Sequence, residues 1–127
     1  MKPTLYALLV GINEYLGGVP PLYGCVNDVQ RMHEFLQGRT KGGDFIYDPW
    51  ILTSGDHTNL NERKPYREEM IKGFREHLIK AEEEDLVLFY YSGHGSQEKA
   101  PPQFWHLEPD RMDETLVCYD SRTANQW

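Results

Sequence analysis

The chain has 127 residues, of which 39% are hydrophobic and 13% aromatic, enough for one globular domain with its own core. Its net charge of −7 disfavours nucleic acid and anionic membranes as partners and favours a basic peptide or protein. No apolar run approaches the length of a membrane span, and Cys25 and Cys118 have neither metal-ligand spacing nor the number needed for a disulfide framework. A reduced, cytoplasmic environment is therefore the simplest expectation.

The N-terminal part of the chain predicts a strand followed by a helix. Residues 5–11 form a short apolar run that is typical of a buried strand and is too short for a signal peptide. After a loop rich in Gly and Pro, apolar side chains recur at helical spacing over 26–36. Asn27 or Asp28 can cap the start of this helix, and Gly38 can end it.

The middle and end of the chain predict two further strands and a second helix. Residues 50–53 are typical of a short strand, and an apolar stripe over 66–81 predicts a helix with Pro65 in its first turn. Residues 98–111 carry several prolines and aromatics and predict an irregular surface loop, and 115–119 predict a fourth strand.

The most informative stretch is the apolar and aromatic run over 86–91, which follows the polar Asp85 and stops at Ser92, Gly93, His94 and Gly95. A run of this kind predicts a central strand buried on both faces. The glycines permit a sharp turn and the close approach of a substrate or a second group. The histidine alone could be a turn residue satisfied by local hydrogen bonds, but the glycine pair and the adjacent backbone N–H favour a base beside an oxyanion donor.

The order of these elements is β-α-β-α-β-loop-β, and it predicts an α/β fold with a mostly parallel, twisted sheet and helices on both faces. Right-handed crossovers place the carboxyl ends of all parallel strands on one rim of the sheet. His94 lies on that rim, and so does the segment after the first strand, which carries Cys25 and Asp28. Two segments that are distant in sequence can therefore form one site.

With these residues in place, the chain resembles the caspase-like cysteine peptidases, in particular the metacaspases and their prokaryotic relatives. The resemblance covers nearly the whole chain, 1–127, as a single large-subunit domain. It rests on four segments in the family's order, namely YALLVGIN at 6–13, LYGCVND at 22–28, FYYSGHG at 89–95 and DETLVCYD at 113–120.

The resemblance implies a role for each site residue. His94 matches the catalytic histidine and Gly95 an oxyanion donor, while Asp28, Ser92 and Cys25 match positions that line the pocket for the substrate side chain before the scissile bond. A carboxylate in that pocket selects Arg or Lys through charge-assisted hydrogen bonds. The implied function is a cysteine endopeptidase, a hydrolase that acts in proteolysis by cleaving after basic residues. For Asp28 taken alone, the helix cap is the competing interpretation.

One departure from the family limits what this chain can do alone. In these enzymes the nucleophilic cysteine follows the histidine by roughly 50 residues, which lies beyond position 127. Cys25 precedes the histidine, and Cys118 lies in an apolar strand where burial raises a thiol's pKa. We therefore expect a caspase-like fold that lacks its small-subunit portion, with a partner chain supplying the cysteine and with processing at 121–126.

Three further interpretations follow from the sequence. The chain can be a non-catalytic pseudo-enzyme or a protein-interaction module on the same fold, as the missing nucleophile suggests. A nucleotide-binding protein is disfavoured because no phosphate-binding glycine motif is present. No cofactor and no metal site is predicted, although some relatives need calcium; the acidic cluster in the corresponding region lacks EF-hand spacing, and its members are Asp110, Asp113, Glu114 and Asp120.

Overall fold

The computed structural model describes residues 2–55 and 63–123. The strands are β1 (Thr4–Ile12), β2 (Ile46–Ser54), β3 (Leu86–Ser92), β4 (Gly95–Lys99) and β5 (Met112–Leu116). The helices are α1 (Cys25–Thr40) and α2 (Arg67–Lys72), which continues as a π-helical turn (Gly73–His77) and a 3-10 turn (Leu78–Lys80), with a further 3-10 turn at Pro102–Phe104. Parts of the predicted loop at 56–64 and of the predicted processing segment at 121–126 lie outside the described residues.

The predicted α/β architecture is confirmed by a parallel three-stranded sheet in the order β2-β1-β3. Gly11 near the end of β1 pairs with Thr53 on one side and with Ser92 on the other, so the three strands end at the same rim. The sequence after each strand is thereby brought to one edge of the sheet, which is where open parallel sheets hold their sites.

Helical segments cover both faces of this sheet, as predicted. Alternate residues of a strand point to opposite faces, so β1 divides its apolar side chains between two cores. One core joins Leu5, Ala7 and Leu9 to the apolar stripe of α1. The other joins Leu8, Val10 and Ile12 to Met70 and Leu78 of the α2 region. Because β1 is covered on both faces, it carries apolar side chains on both faces.

The position of β3 differs from the prediction. The apolar run indicated a central strand buried on both faces, but β3 lies at the edge of the sheet that the structure describes. Leu86 is 47% exposed and Val87 is 53% exposed, because β3 has a neighbouring strand on one side only. An apolar run shows that a strand is suited to burial, and it cannot show which neighbour buries it.

The C-terminal strand is also placed differently from the prediction. The fourth strand was predicted over 115–119 in the parallel sheet, and 98–111 was predicted to be irregular throughout. Instead, β4 and β5 form a separate antiparallel hairpin in which Gly95 pairs with Leu116 and Lys99 with Met112. The β4 sequence GSQEK has no apolar face, so hydrophobic periodicity could not reveal it.

The helix boundaries differ in detail. α1 begins at Cys25 and passes through Gly38 to Thr40, whose Oγ1 donates a hydrogen bond to the Leu36 carbonyl at 2.8 Å. α2 begins at Arg67, so Pro65 precedes the helix instead of lying in its first turn. In the part of the chain that the structure describes, no helix is long and apolar enough to cross a bilayer.

Candidate active site

The carboxyl rim of the sheet brings Asp28 and Ser92 together. Ser92 is the last residue of β3, and its hydroxyl donates a hydrogen bond of 2.7 Å to Oδ2 of Asp28 in the first turn of α1. The backbone N–H of Asp28 is already engaged with the Gly24 carbonyl at 3.0 Å, as expected for a residue inside the helix. The interpretation of Asp28 as the helix cap is therefore wrong, and its carboxylate faces β3 instead.

The N-cap residue of α1 is Gly24, which has no side chain to cap the helix, and the capping side chain comes from a residue that the sequence did not indicate. Oδ1 of Asn13, just after β1, accepts hydrogen bonds from the N–H groups of Cys25 at 2.9 Å and Val26 at 3.3 Å. Its amide group donates to the Gly55 carbonyl at 3.1 Å, which ties the cap to the end of β2. An Asn side chain satisfies the free N–H groups of a first helical turn as a neighbouring cap would. Asn13 thus fixes the helix turn that carries Asp28.

A shallow cavity of about 250 Å³ begins at Asp28 and runs along α1 beside β3. Its other lining residues are Arg31, Met32, Phe35 and Tyr90. Burial raises the pKa of the Tyr90 hydroxyl, and the nearby Asp28 carboxylate raises it further. Asp28 has no ion-pair partner among residues 2–55 and 63–123. The cavity therefore combines a carboxylate that forms no ion pair within the described residues with one arginine and with apolar and aromatic side chains.

His94 lies two residues beyond β3, and its ring is oriented by the loop after β1. Its Nε2 is 2.9 Å from the carbonyl oxygen of Pro20. A carbonyl can only accept a hydrogen bond, so Nε2 carries the proton in this contact and Nδ1 is left as the basic nitrogen. The ring also packs on Tyr15, with the ring centroids 5.3 Å apart. This arrangement provides a half-buried imidazole with a defined tautomer at the rim.

The N–H of Gly95 points away from the β4–β5 hairpin. Val117 donates its N–H to the His94 carbonyl at 3.1 Å, which makes the His94–Val117 pair a hydrogen-bonded one. Pairs of an antiparallel ladder alternate between hydrogen-bonded and non-hydrogen-bonded, so the next pair, Gly95 with Leu116, is of the second kind. The Gly95 N–H is consequently directed outward beside the imidazole.

Neither cysteine is presented at this rim as an accessible thiol. Cys25 is 8% exposed and Cys118 is 9% exposed. Burial raises the pKa of the Cys118 thiol, with a smaller contribution from the Asp120 carboxylate, which confirms the expectation from its apolar surroundings. The roles predicted for Cys25 as a wall of the substrate pocket, and for the other site residues, stay predictions.

The acidic cluster uses several of its carboxylates locally. Asp110 accepts the N–H of Met112, Glu114 accepts the amide of Gln97, and Asp120 accepts the N–H of Arg67. Over the described ranges, 2–55 and 63–123, no group of three or more His, Cys, Asp or Glu residues could hold a metal ion. The expectation that the chain needs no cofactor and has no metal site stays a prediction.

Comparisons with known proteins match this chain to one family. A family model described as the metacaspase, peptidase C14 domain matches residues 6–127. Metacaspase-1 of Mycosarcoma maydis is 36% identical over 126 residues, which cover 99% of this chain and 29% of that protein. Metacaspase-1 of Schizosaccharomyces pombe is 38% identical over 121 residues, or 94% of this chain and 26% of that protein. Metacaspase-7 of Arabidopsis thaliana is 33% identical over 114 residues, or 90% of this chain and 26% of that protein. The chain thus spans less than a third of the length of these relatives.

Proposed function

Since the chain belongs to the metacaspase family of caspase-type cysteine peptidases, we propose that it is the histidine-bearing part of a cysteine endopeptidase. His94 acts as the general acid and base, and the nucleophilic cysteine comes from a partner chain or a following segment. The observation that carries the proposal is the His94 imidazole at the sheet rim, with Nε2 bonded to the Pro20 carbonyl and Nδ1 left basic.

The absence of an accessible thiol supports a nucleophile from outside this chain. A thiolate is the reactive form of cysteine, and burial in apolar surroundings disfavours it. Cys118 belongs to the apolar core that also holds Leu8 and Val10, and its N–H is bonded to the Ser121 hydroxyl. Cys25 is buried at the start of α1. A catalytic thiolate in either position would need the surrounding core to open.

The open edge of β3 offers the place from which the thiol would come. Its outer side has unpaired backbone groups within the sheet that the structure describes, and Leu86 and Val87 are about half exposed there. An exposed apolar edge is a template for a further strand. A parallel strand added beside β3 would end at the rim that carries His94, so a cysteine at its end would lie on the same side of the sheet as Nδ1.

The chemistry follows from these positions. The thiolate attacks the carbonyl carbon of the scissile peptide bond, and the electron pair of that carbonyl moves to its oxygen. The outward N–H of Gly95 donates a hydrogen bond to this oxyanion. His94 holds the proton taken from the thiol and transfers it to the leaving amine as the C–N bond breaks. Water then attacks the thioester carbonyl as His94 accepts one of its protons, and the C–S bond breaks to release the carboxylic acid and regenerate the thiolate.

The substrate pocket proposed here is the cavity that begins at Asp28, and the residue bound there is Arg or Lys. The Asp28 carboxylate accepts one hydrogen bond from Ser92 and has further lone pairs for a guanidinium or ammonium group. Met32, Phe35 and Tyr90 provide apolar surface for the methylene stem of such a side chain. The net charge of −7 attracts basic peptides to the protein.

The test is made on the assembled protein, meaning this chain together with its cysteine-bearing segment. His94→Ala should lower kcat for an Arg-containing fluorogenic peptide by about two to four orders of magnitude, the usual contribution of general acid–base catalysis. His106→Ala removes an exposed histidine from the loop between β4 and β5 and should leave kcat unchanged.

Two results would contradict the proposal. One is turnover by this chain alone that disappears in Cys25→Ala or Cys118→Ala, because the nucleophile would then be internal. The other is an assembled protein that binds its partner but shows no turnover, and in which His94→Ala leaves partner binding unaltered. That outcome would support the non-catalytic interaction module, which the missing nucleophile also suggests.

A further inference from the structure

The backbone of His94 is held by two tyrosine hydroxyls from separate parts of the chain. The N–H of His94 donates to the hydroxyl oxygen of Tyr15 at 2.8 Å. The hydroxyl of Tyr91 lies 2.7 Å from the His94 carbonyl and 2.7 Å from the Val117 carbonyl. A loop residue usually leaves its backbone groups to water. In contrast, the His94 N–H is bonded to a side chain, and the His94 carbonyl is bonded to a side chain as well as to the Val117 N–H.

The two tyrosines form one connected unit. Both hydroxyls are bonded to the backbone of His94, and burial raises the pKa of both phenols above its ordinary value. Both hydroxyls therefore stay protonated at neutral pH and act as hydrogen-bonding groups. Tyr15 follows β1 and Tyr91 belongs to β3, so the unit links the loop that carries Pro20 to the strand that leads to His94.

Gly93 has no side chain, and this leaves room for the two tyrosine hydroxyls. A Cβ atom on Gly93 would lie 2.7 Å from the Tyr91 hydroxyl oxygen and 2.8 Å from the Tyr15 hydroxyl oxygen, closer than real Cβ contacts allow. A Cβ atom on Gly95 would find only the Thr115 carbonyl oxygen at 3.7 Å, an ordinary contact. The sequence predicted that the glycine pair permits a second group to approach closely. At Gly93, that second group is the pair of tyrosine hydroxyls.

We propose that Tyr15 and Tyr91 are positioning residues for the peptidase reaction, which hold the His94 backbone so that the imidazole keeps its bond to Pro20 and presents Nδ1 to the nucleophile. This inference rests on the function proposed above. The reason for a kinetic effect is geometric, because a misplacement of about 1 Å in a catalytic group can cost about 100-fold in rate. Neither tyrosine takes part in proton transfer.

The test uses Tyr15→Phe and Tyr91→Phe in the assembled peptidase. Each change removes one hydroxyl and keeps the ring, so the core packing is retained. We expect kcat to fall by about 10- to 100-fold with little change in KM, since the substrate pocket is untouched. Tyr47→Phe is the matched control, because the Tyr47 hydroxyl is also bound to a histidine, His33 at 2.9 Å, in a different part of the molecule. It should leave kcat unchanged.

A second measurement does not depend on peptidase activity. In ¹⁵N-labelled chain at neutral pH, the wild-type His94 ring should be mostly in the Nε2–H tautomer, and both variants should show a mixture of tautomers. Normal kcat together with an unaltered His94 tautomer in both variants overturns the inference, as does an equal loss of kcat in Tyr47→Phe. If the assembled protein proves inactive, the proposed function fails, and an unaltered tautomer in the labelled variants still overturns the positioning role on its own.

Discussion

The two edge strands of the described sheet, β2 and β3, each end in a serine at the same rim, yet the two serine hydroxyls bond to different kinds of group. Ser54 closes β2, is fully buried, and donates its hydroxyl proton to the Glu14 carbonyl at 2.7 Å. Ser92 closes β3, is half-buried, and donates to the Asp28 carboxylate at the same distance. A bond to a backbone carbonyl fixes a loop, whereas a bond to a carboxylate orients a charge that can accept further donors.

The outer edges of β2 and β3 also differ, in how readily each could pair with a further strand. β2 contains Pro49, which has no N–H to offer a further strand and is found in sheets at edges. β3 runs from Leu86 to Ser92 without a proline and exposes Leu86 and Val87. The β2 edge thus has a feature that blocks pairing, and the β3 edge has features that favour it. The difference supports the proposal that substrate and partner both approach from the β3 side.

Asp28→Ala is the strongest way to test the β3 side as the substrate side. Removing the carboxylate should weaken cleavage after Arg and Lys by about 2 to 5 kcal/mol, in line with the loss of one partner of a buried charge pair. Cleavage profiles of the assembled variant on a peptide library would measure this, with melting curves in parallel. Asp48→Ala removes a carboxylate from β2 and should leave the profile unchanged.

The profile of the unmodified protein can contradict this assignment directly. A preference for Asp, or for an apolar residue such as Leu, would reject the basic pocket at Asp28. It would leave the peptidase interpretation of His94 in place, because the two depend on different contacts.

A pair of lysine substitutions tests the β3 edge as the site of strand addition. Val87 on β3 and Ile46 on β2 are each 53% exposed, so replacing either by lysine changes this chain alone to a similar small extent. Val87→Lys should weaken association with the cysteine-bearing partner by about 1 to 1.5 kcal/mol, roughly half the contribution of fully burying such a side chain, because the other half is already covered. Ile46→Lys should have no effect. Titration of each variant with the partner would decide, and equal weakening by both would reject the β3 edge.

The sequence predicted the parts of this molecule that local pattern controls. The apolar runs of β1 and β3 were located to within about one residue at each end, because a buried strand of a parallel sheet leaves a continuous apolar signature. The hairpin of β4 and β5 was missed because its strands are short and β4 is polar throughout. The edge position of β3 was missed because the pattern reports the character of a strand and not its neighbours.

The site shows the same division. The rim position of His94 and the proximity of Asp28 to Ser92 follow from topology, and the structure brings Asp28 and Ser92 into contact. The contributions of Asn13 and Tyr15 could not be predicted, because the first caps a helix 12 residues later and the second meets a backbone group 79 residues later. Tyr91 belongs to an apolar strand, and its sequence position predicts only a core residue. The structure is needed to show which groups its hydroxyl bonds to.

Replacing each serine by alanine tests the comparison of the two serines, and these substitutions have the smallest expected effects. Ser54→Ala should lower the free energy of unfolding by about 1 kcal/mol, because it leaves the Glu14 carbonyl without a buried donor, and it should not alter the cleavage profile. Ser92→Ala should alter the cleavage profile and leave the free energy of unfolding nearly unchanged. Its hydroxyl is partly accessible to water, so stability changes little, but the Asp28 carboxylate loses the donor that orients it. We expect selectivity for Arg and Lys over uncharged residues to fall by about 1 kcal/mol, the typical contribution of one hydrogen bond. Urea unfolding of each variant and library profiling of the assembled protein measure the two quantities separately. If both serines affected stability alone, Ser92 would be a structural residue like Ser54, and the orientation of Asp28 would have to come from α1 alone.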